Sequence, residues 1–457
     1  MQKSVAVVLA LAAGLSWYSS AQAKVSAEEA ARLGKDLTCT GAEKAGNADG
    51  SIPPFTGKNL GVVPGWTHTP YSGGHPVDPW PNEKPLLVIT ASNAKQHAER
   101  LSTGQLAMFE KYPATYRMAI YPTHRDFRYP DYVCERAREN ALNAELVDNG
   151  LGVNAIGQVP FPIPKTALEL MWNSQLPARA WTEEMQRDNG AVTPSGDVAW
   201  GRSFSKTLAN ANNPKETPYS STGVQSLGMY TTVLPQRDNG IITVAQTPYN
   251  FSSDSLKAWT YNPGTRRVRL NPAFGFDSPM IGTNGVMTID DDRIFNGSPE
   301  RYDWKIEGKR EMYVPINSYK VNSAEVKYKD LLTPNHPNPD VMRYELRRVW
   351  VLVATLKEGS RHLYGKRVMF IDEDTWHSLM ADNYDTRGNI YKYAQVTYYY
   401  HPDMSAWEAG AAFFHDLTTG QYVGYSLSNE ARKGPILNKG NYTADMFTPD
   451  TARAAGR

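Results

Sequence analysis

The sequence predicts an α+β fold in which helices come first and a long curved antiparallel β-sheet follows. Three observations carry that expectation. Helix signals concentrate between residues 91 and 175 and strand signals between 225 and 430, and such segregation puts helices against an antiparallel sheet. The 26 Tyr, 11 Trp and 13 Phe, set among 35 Gly and 31 Pro, suit many short strands joined by tight turns. Finally, Tyr344 to Leu356 is apolar on both of its faces, with Tyr344, Leu346, Trp350, Leu352 and Leu356 on one parity and Val349, Val351 and Val353 on the other. A strand of that kind needs cover on each side.

Taken in order, Met1 to Ala23 reads as a secretory signal, with Lys3 as its positive start, an apolar core from Val5 to Leu15 and Ala21-Gln22-Ala23 as the small-residue cleavage site. That core is too short to span a bilayer, and no later stretch approaches the ~20 apolar residues a membrane helix needs. No Cys follows the cleavage site, so an exported, soluble, periplasmic product without lipid attachment is expected. The formal charge of +1 falls to zero once Lys3 is removed, which leaves no electrostatic case for nucleic acid or an anionic membrane surface.

Residues 24 to 90 are expected to form an extended N-terminal arm, opened by a short helix at Ser26 and continued by a Gly/Pro-rich run from Gly41 to Pro81. A single sheet-and-helix domain should occupy residues 91 to 457. Its helices are expected from Ser92 to Tyr112, presenting Leu101, Leu106 and Phe109, from Pro130 to about Asp148, and from near Lys165. Strands follow at Gly228 to Leu234, Ile241 to Gln246, Leu256 to Tyr261, Arg266 to Leu270, His377 to Ala381, Ile390 to Tyr400, Ala411 to Leu417 and Tyr422 to Leu427. Asp238-Asn239-Gly240, Asn262-Pro263-Gly264 and Thr418-Thr419-Gly420 are turn chemistry, so a meander is the economical topology. The central hairpin turns at Lys357-Glu358-Gly359-Ser360 and returns from His362 to Ile371, placing Arg367 among apolar neighbours before the acidic corner Asp372-Glu373-Asp374. Charges so placed need partners.

The hairpin RYELRRVWVLVATLKEG with RHLYGKRVMFIDEDTW resembles a family of Gram-negative periplasmic proteins of unknown function that is itself similar to the LolA/LolB lipoprotein carriers. LTCTGAEKAGNADGSIPPFTG, VPFPIPKTALELMWN, AWTYNPGTRRVRLNP and FNGSPERYDWKIEGKREMYVP extend the match across most of the chain. The resemblance implies an unclosed barrel with helices on the concave side, an apolar concavity, a lipid or other apolar ligand, and an inner-membrane RND-type transporter and an outer-membrane protein as partners.

On that reading, Trp259, Tyr261, Trp350, Leu352, Phe370, Tyr398 and Tyr400 are candidate cavity residues. Arg266, Arg267, Arg348, Arg367, Asp372 and Asp374 are expected to form a structural ion network, although arginine forks also suit an anionic headgroup. Cys39 and Cys134 could bond in an oxidising compartment, the alternative being two separate buried thiols. Asp290-Asp291-Asp292 and Asp372-Glu373-Asp374 lack the spacing of a calcium loop, and the nine scattered His include no H-E-x-x-H pair. Neither a metal nor another cofactor is expected. Ser92-Asn93-Ala94-Lys95 and Ser203-Phe204-Ser205-Lys206 match S-x-x-K without a companion K-T-G. No G-x-S-x-G or phosphate-cradling loop occurs. Two functions of different class remain, a periplasmic carrier and a periplasmic hydrolase of a lipid-like or polymeric substrate, and no catalytic residue is assigned.

Overall fold

The computed structural model describes residues 25–66, 69–215, 218–219, 223–272 and 274–456. The expected signal, Met1 to Ala23, lies outside them.

Six helices are described: α1 (Ala27–Ala30), α2 (Thr103–Lys111), α3 (Asp131–Asn143), α4 (Ala167–Gln175), α5 (Tyr328–Leu331) and α6 (Pro449–Ala455). Their starts follow local capping chemistry. Ser102 accepts from the Gln105 amide while the Gln105 side chain reaches back, and Thr166 and Glu169 do the same for α4. That box at Ser102 corrects the expected helix from Ser92 to Tyr112. Leu101 is extended, a 3-10 turn occupies Ala94–Arg100, and α2 begins afresh. Likewise α3 stops at Asn143 because the next residues form a small hairpin of β3 (below) that turns through Asp148, Asn149 and Gly150, all at positive φ.

The strands are β1 (Leu87–Ile89), β2 (Met118–Tyr121), β3 (Glu145–Val147), β4 (Gly152–Asn154), β5 (Thr182–Val192), β6 (Val198–Ala209), β7 (Val224–Leu234), β8 (Ile242–Pro248), β9 (Lys257–Asn262), β10 (Arg267–Leu270), β11 (Tyr302–Val314), β12 (Tyr344–Leu356), β13 (Lys366–Asp372), β14 (Ser378–Tyr384), β15 (Ile390–His401), β16 (Ala406–Asp416), β17 (Tyr422–Leu427) and β18 (Ile436–Leu437). All but β3 and β4 join one sheet, in the order β1-β2-β12-β13-β14-β15-β16-β17-β5-β6-β7-β8-β9-β10, with β11 on β12 and β18 on β5. The pairing is antiparallel except where β2 meets the start of β12. Two meanders, β5 to β10 and β12 to β17, are spliced by the β17–β5 pair, Tyr422 opposite Val192. The curved sheet remains unclosed, ending at β10 on one side.

Strands β5, β6 and β11 answer to no strand expectation from the sequence. β5, which reads TEEMQRDNGAV, alternates poorly, whereas β11 alternates apolar and polar residues from Tyr302 to Glu307, a signal that was available, before the charged stretch Lys309 to Glu311.

The central hairpin forms as expected, Val351 opposite Phe370 and Leu352 opposite Met369. Both faces of the sheet beside it are covered. Met380 and Asp382 of β14 meet Gln105 and Ser102 of α2. Arg367 lies opposite Asn383, one residue out of step with Asp382, and so faces the other way, onto the Asp290–Ile294 loop. α4 packs against β11 and β12. At the far end, α6 and Phe447 cover Leu208, Leu227, Ile242, Val244 and Tyr261. The remaining core is continuous through β12 to β17.

A polar-floored groove on the inner face of β5 to β8

Because alternate residues of a strand point to opposite faces, covering Leu208, Leu227 and Val244 with α6 leaves their neighbours facing the other way. Register places Arg187 opposite Ser203, Thr207 opposite Gly228, Ala209 opposite Ser226, Gly228 opposite Ala245 and Tyr230 opposite Thr243. These residues form the floor of a groove of about 190 Å³, which at roughly 10 to 15 Å³ per water has room for more than ten waters. Apolar side chains of the following segment, Leu256, Phe274, Met280, Ile281 and Ile289, form a wall. The wall comes close to the floor at Gly201, where a Cβ would stand 2.8 Å from the Gly282 carbonyl oxygen. Small floor residues are therefore what keep the space open.

One end of the groove is charged. Arg187 pairs with Glu183 and donates from Nε to Ser205 Oγ at 3.0 Å and from Nη1 to Ser426 Oγ at 3.3 Å. Arg293 pairs with Asp292 at 3.3 Å. Burial, the largest influence, would lower both arginines, but the neighbouring anionic and phenolic groups together, led by Glu183 for Arg187 and by Asp292 for Arg293, more than offset it, and both stay above the ordinary arginine value. Arg179 differs. Its backbone amide donates to Asn212 Oδ1 at 2.9 Å, while its guanidinium makes no hydrogen bond or ion pair with any described residue. Burial first, and then Arg293, push Arg179 down to about 10. Behind these groups, Glu408 of β16 is only 4 % exposed, and burial together with Glu183 holds its carboxyl well above the usual carboxylate range. His377, whose pKa burial and then Arg179 push down to about 3, is neutral.

The loop that brings Asp292 and Arg293 to the groove is held from below by Arg367, which is fully buried. Its Nη1 donates to Asp290 Oδ2 at 2.8 Å, and its Nη2 to Asp291 Oδ1 at 3.0 Å and to the Ile294 carbonyl at 2.6 Å. His362 Nε2 lies 3.0 Å from Asp290 Oδ2, and the Tyr364 hydroxyl donates to Asp291 Oδ2 at 2.9 Å. Arg293 and Ile294 sit at φ 50° and 78°, a conformation that costs a β-branched residue energy and is sustained by surrounding contacts.

Several expectations need correction against this geometry. Arg367 does not pair with Asp372 and Asp374. It sits five residues from Asp372 along β13, about 16 Å at strand rise, and the acidic corner is taken instead by Arg347, 3.1 Å from Asp372 and 2.8 Å from Asp374, and by Arg125, 2.7 Å from Asp374. Arg348 donates to the Ala45 carbonyl at 2.7 Å and lies 3.8 Å from Glu373. Arg266 and Arg267 are exposed at the β9–β10 turn and pair with no described carboxylate.

None of the seven cavity candidates lines the groove. Trp259 and Tyr261 lie under α6, with the Tyr261 hydroxyl donating to the Gly456 carbonyl at 2.8 Å. Trp350 stacks on Trp376 beneath Lys309. Leu352 and Phe370 are core, Tyr398 stacks on His377 at 4.4 Å, and Tyr400 meets Trp407 edge-on. Large rings fill space, whereas a groove floor needs residues that leave it. Cys39 and Cys134 are bonded to each other. Ser203 faces the groove, but Lys206, three positions on, faces Tyr442 on the other side, so that S-x-x-K pair does not converge.

Residues 88–453 match the family model described as a protein of unknown function, DUF1329. The chain is 38% identical to the uncharacterized protein PA3922 of Pseudomonas aeruginosa strain PAO1 over 441 residues, which is 95% of this chain and 94% of that protein. Among solved structures it is similar to a candidate outer membrane lipoprotein-sorting protein domain from Vibrio parahaemolyticus (13% identity, 60% of this chain and 93% of that one, TM-score 0.41). It is also similar to a DUF1329 family protein from Desulfovibrio piger (14%, 60% and 92%, TM-score 0.40), and to the LolA superfamily protein NE2245 from Nitrosomonas europaea (10%, 63% and 100%, TM-score 0.39). The family match spans four-fifths of the sequence and the Pseudomonas relative nearly all of it, and on that ground the chain belongs to the DUF1329 family.

Proposed function

We propose that the protein binds a lipid-like amphiphile in the groove over β5 to β8 and carries it, chemically unchanged, through the periplasm. The observation that supports this best is the groove's construction: a floor mostly of Gly, Ala, Ser and Thr, with Arg187 and Tyr230 as its large members, faced by a wall of large apolar side chains. A guest that laid about 400 Å² of acyl surface against that wall would gain ~10 kcal/mol, and an association cost of about 4 kcal/mol would leave ~6 kcal/mol, a Kd of tens of micromolar. No described helix is long and apolar enough to cross a membrane. On this reading an RND-type inner-membrane exporter and an outer-membrane acceptor are its partners.

The hydrolase alternative finds less support in the groove. Glu183 and Asp292 are both engaged by arginines, and none of the lining Ser or Thr hydroxyls is hydrogen-bonded to a described histidine or carboxylate.

The test is displacement from lipid-stripped protein. N-phenyl-1-naphthylamine, a neutral probe that fluoresces in apolar surroundings, should bind saturably to the parent and not to Ala245→Trp, which fills the floor, while both melt at similar temperatures. Absence of saturable binding to the parent, or undiminished binding to the variant, would overturn the assignment.

A further inference from the structure

We infer that the groove selects a single-chain amphiphile with a monoanionic head, and that Arg179 and Arg293 hold that head; this rests on the groove being the ligand site. Arginines are common beside carboxylates, and Arg187 is an ordinary case, saturated by Glu183, Ser205 and Ser426. Arg179 is not. A guanidinium carries five donors that require acceptors, and this one faces the groove with none supplied by the described protein. Arg293 lines the same groove and its charge lowers the Arg179 pKa, so an anion placed between the two would satisfy donors on both.

The charge count agrees. Arg179, Arg187 and Arg293 supply three cations at the end of the groove, against the carboxylates of Glu183 and Asp292. Arg202, which also lines the groove, is neutralised by Asp188 at 2.6 Å, and burial with Glu183 holds the Glu408 carboxyl well above the usual carboxylate range, which favours its neutral form. One positive charge is left over, matching one negative head. The apolar side chains of Leu256, Phe274, Met280, Ile281 and Ile289 line the same groove as Arg179 and Arg293, so a chain attached to the head has apolar surface to lie against.

The backbone supports the same assignment. Arg293 and Ile294 are consecutive non-glycine residues at positive φ, and the Arg367 hub fixes them by taking the Ile294 carbonyl at 2.6 Å. Strain maintained by a buried ion cluster marks a side chain whose direction matters, and the side chain so directed is Arg293. Guanidinium forks match carboxylate oxygens in pairs, so a fatty-acid head is the simplest ligand. A phosphate monoester head offers the same oxygens but carries about −1.5 to −2 at pH 7, more than the one charge left over, and is separated by experiment.

The test compares dodecanoate, dodecyl phosphate and dodecanol as displacers of N-phenyl-1-naphthylamine from the parent, Arg179→Gln, Arg179→Lys and Arg293→Gln. In the parent, an anionic head should displace the probe at a concentration about tenfold or more below that of dodecanol, since hydrogen bonds to charged groups are the strong ones. Dodecanoate should be the stronger of the two anions, and a stronger dodecyl phosphate would overturn the monoanionic assignment. Arg179→Gln and Arg293→Gln should lose that preference while dodecanol displaces as before, and Arg179→Lys should retain part of it. Equal displacement by acid and alcohol in the parent would overturn the inference and leave the groove assignment standing; this comparison needs no variant to fold. Full preference in Arg179→Gln would overturn it as well. Displacement by none of the three compounds would remove both.

Discussion

Replacing Arg367 by methionine tests whether the buried hub is what holds the groove loop. The guanidinium joins Asp290, Asp291 and the Ile294 carbonyl with no exposure to solvent. Methionine fills much of the volume and supplies no charge, so two buried carboxylates lose their cation. Breaking a buried pair in this way costs about 3 to 5 kcal/mol. With an unfolding entropy of roughly 2.1 cal/mol/K per residue over ~430 residues, or ~0.9 kcal/mol/K, the melting temperature should fall by ~3 to 6 °C. The loss should depend on pH with a definite sign. In the parent, burial would raise Asp290, but Arg367 and His362 more than offset it and hold the carboxyl below the usual range. Its stabilisation is therefore present above the unfolded pKa and is lost only as pH falls through the lower folded value. Without Arg367 the burial cost stands largely unopposed, the variant carboxyl rises, and protonation relieves it. Scanning calorimetry should show the deficit largest near neutral pH and narrowing as pH falls. A shift below ~1 °C, or a deficit that does not change with pH, would refute the account. Adding Asp290→Asn and Asp291→Asn to Arg367→Met should recover part of the loss, since no charge is then stranded.

Asp382, buried beneath α2 and accepting from Ser102 Oγ at 2.9 Å, has its carboxyl pushed up to about 6 by burial. A raised carboxyl costs stability above that value and nothing below the unfolded one, so Asp382→Asn should be more stable than the parent by up to ~3 kcal/mol near pH 7.5, the gain vanishing near pH 4; urea midpoints that differ equally at both pH values would contradict this. Cys39 and Cys134 close a loop with a sequence separation of 95, and converting both to serine should cost ~4.7 kcal/mol on the chain-entropy relation, read as a lower guanidinium midpoint that no longer responds to reductant. Intact mass of the exported protein should correspond to a chain starting at Lys24; retention of Met1 to Ala23, or an attached lipid, would contradict the cleavage site.

The central hairpin was legible because its residues satisfy two rules together: β-branched and aromatic content along both faces of Tyr344 to Leu356, and a Gly-containing turn before a second apolar run. The faces it buries, against α2 and against the Asp290–Ile294 loop, are the cover that its composition demanded. The groove strands were illegible for the reason that makes them a groove. In β5 and β6, Glu183, Arg187, Ser203 and Thr207 face the space, so neither alternation nor a continuous apolar run survives. Gly201, Ala209, Gly228 and Ala245 were the available signal, small residues at strand positions where bulk would ordinarily pack. Ion partners were harder still. Arg367 meets carboxylates 76 and 77 positions away, and spacing within one segment carries no information about that convergence. The aromatic candidates failed on a different ground: parity identifies which residues share a face, while size decides which face can remain hollow.

Arg266, Arg267 and Arg269 acquire a meaning once β10 is recognised as the last strand of an open sheet. Such a strand offers unpaired amides and carbonyls to any chain that can lie alongside, and Leu270 on it is 53% exposed. A second copy docking antiparallel at strand spacing, about 4.8 Å, would set guanidinium against guanidinium along the new ladder. Repulsion of ~1 kcal/mol per close pair, even in water, makes this rim self-avoiding, as charged edges are in other open sheets. Arginines that meet no carboxylate among the described residues would thus oppose edge-to-edge growth, and replacing Arg267 and Arg269 by threonine should increase sedimentation as dimers and larger species relative to the parent; an unchanged sedimentation profile would contradict this.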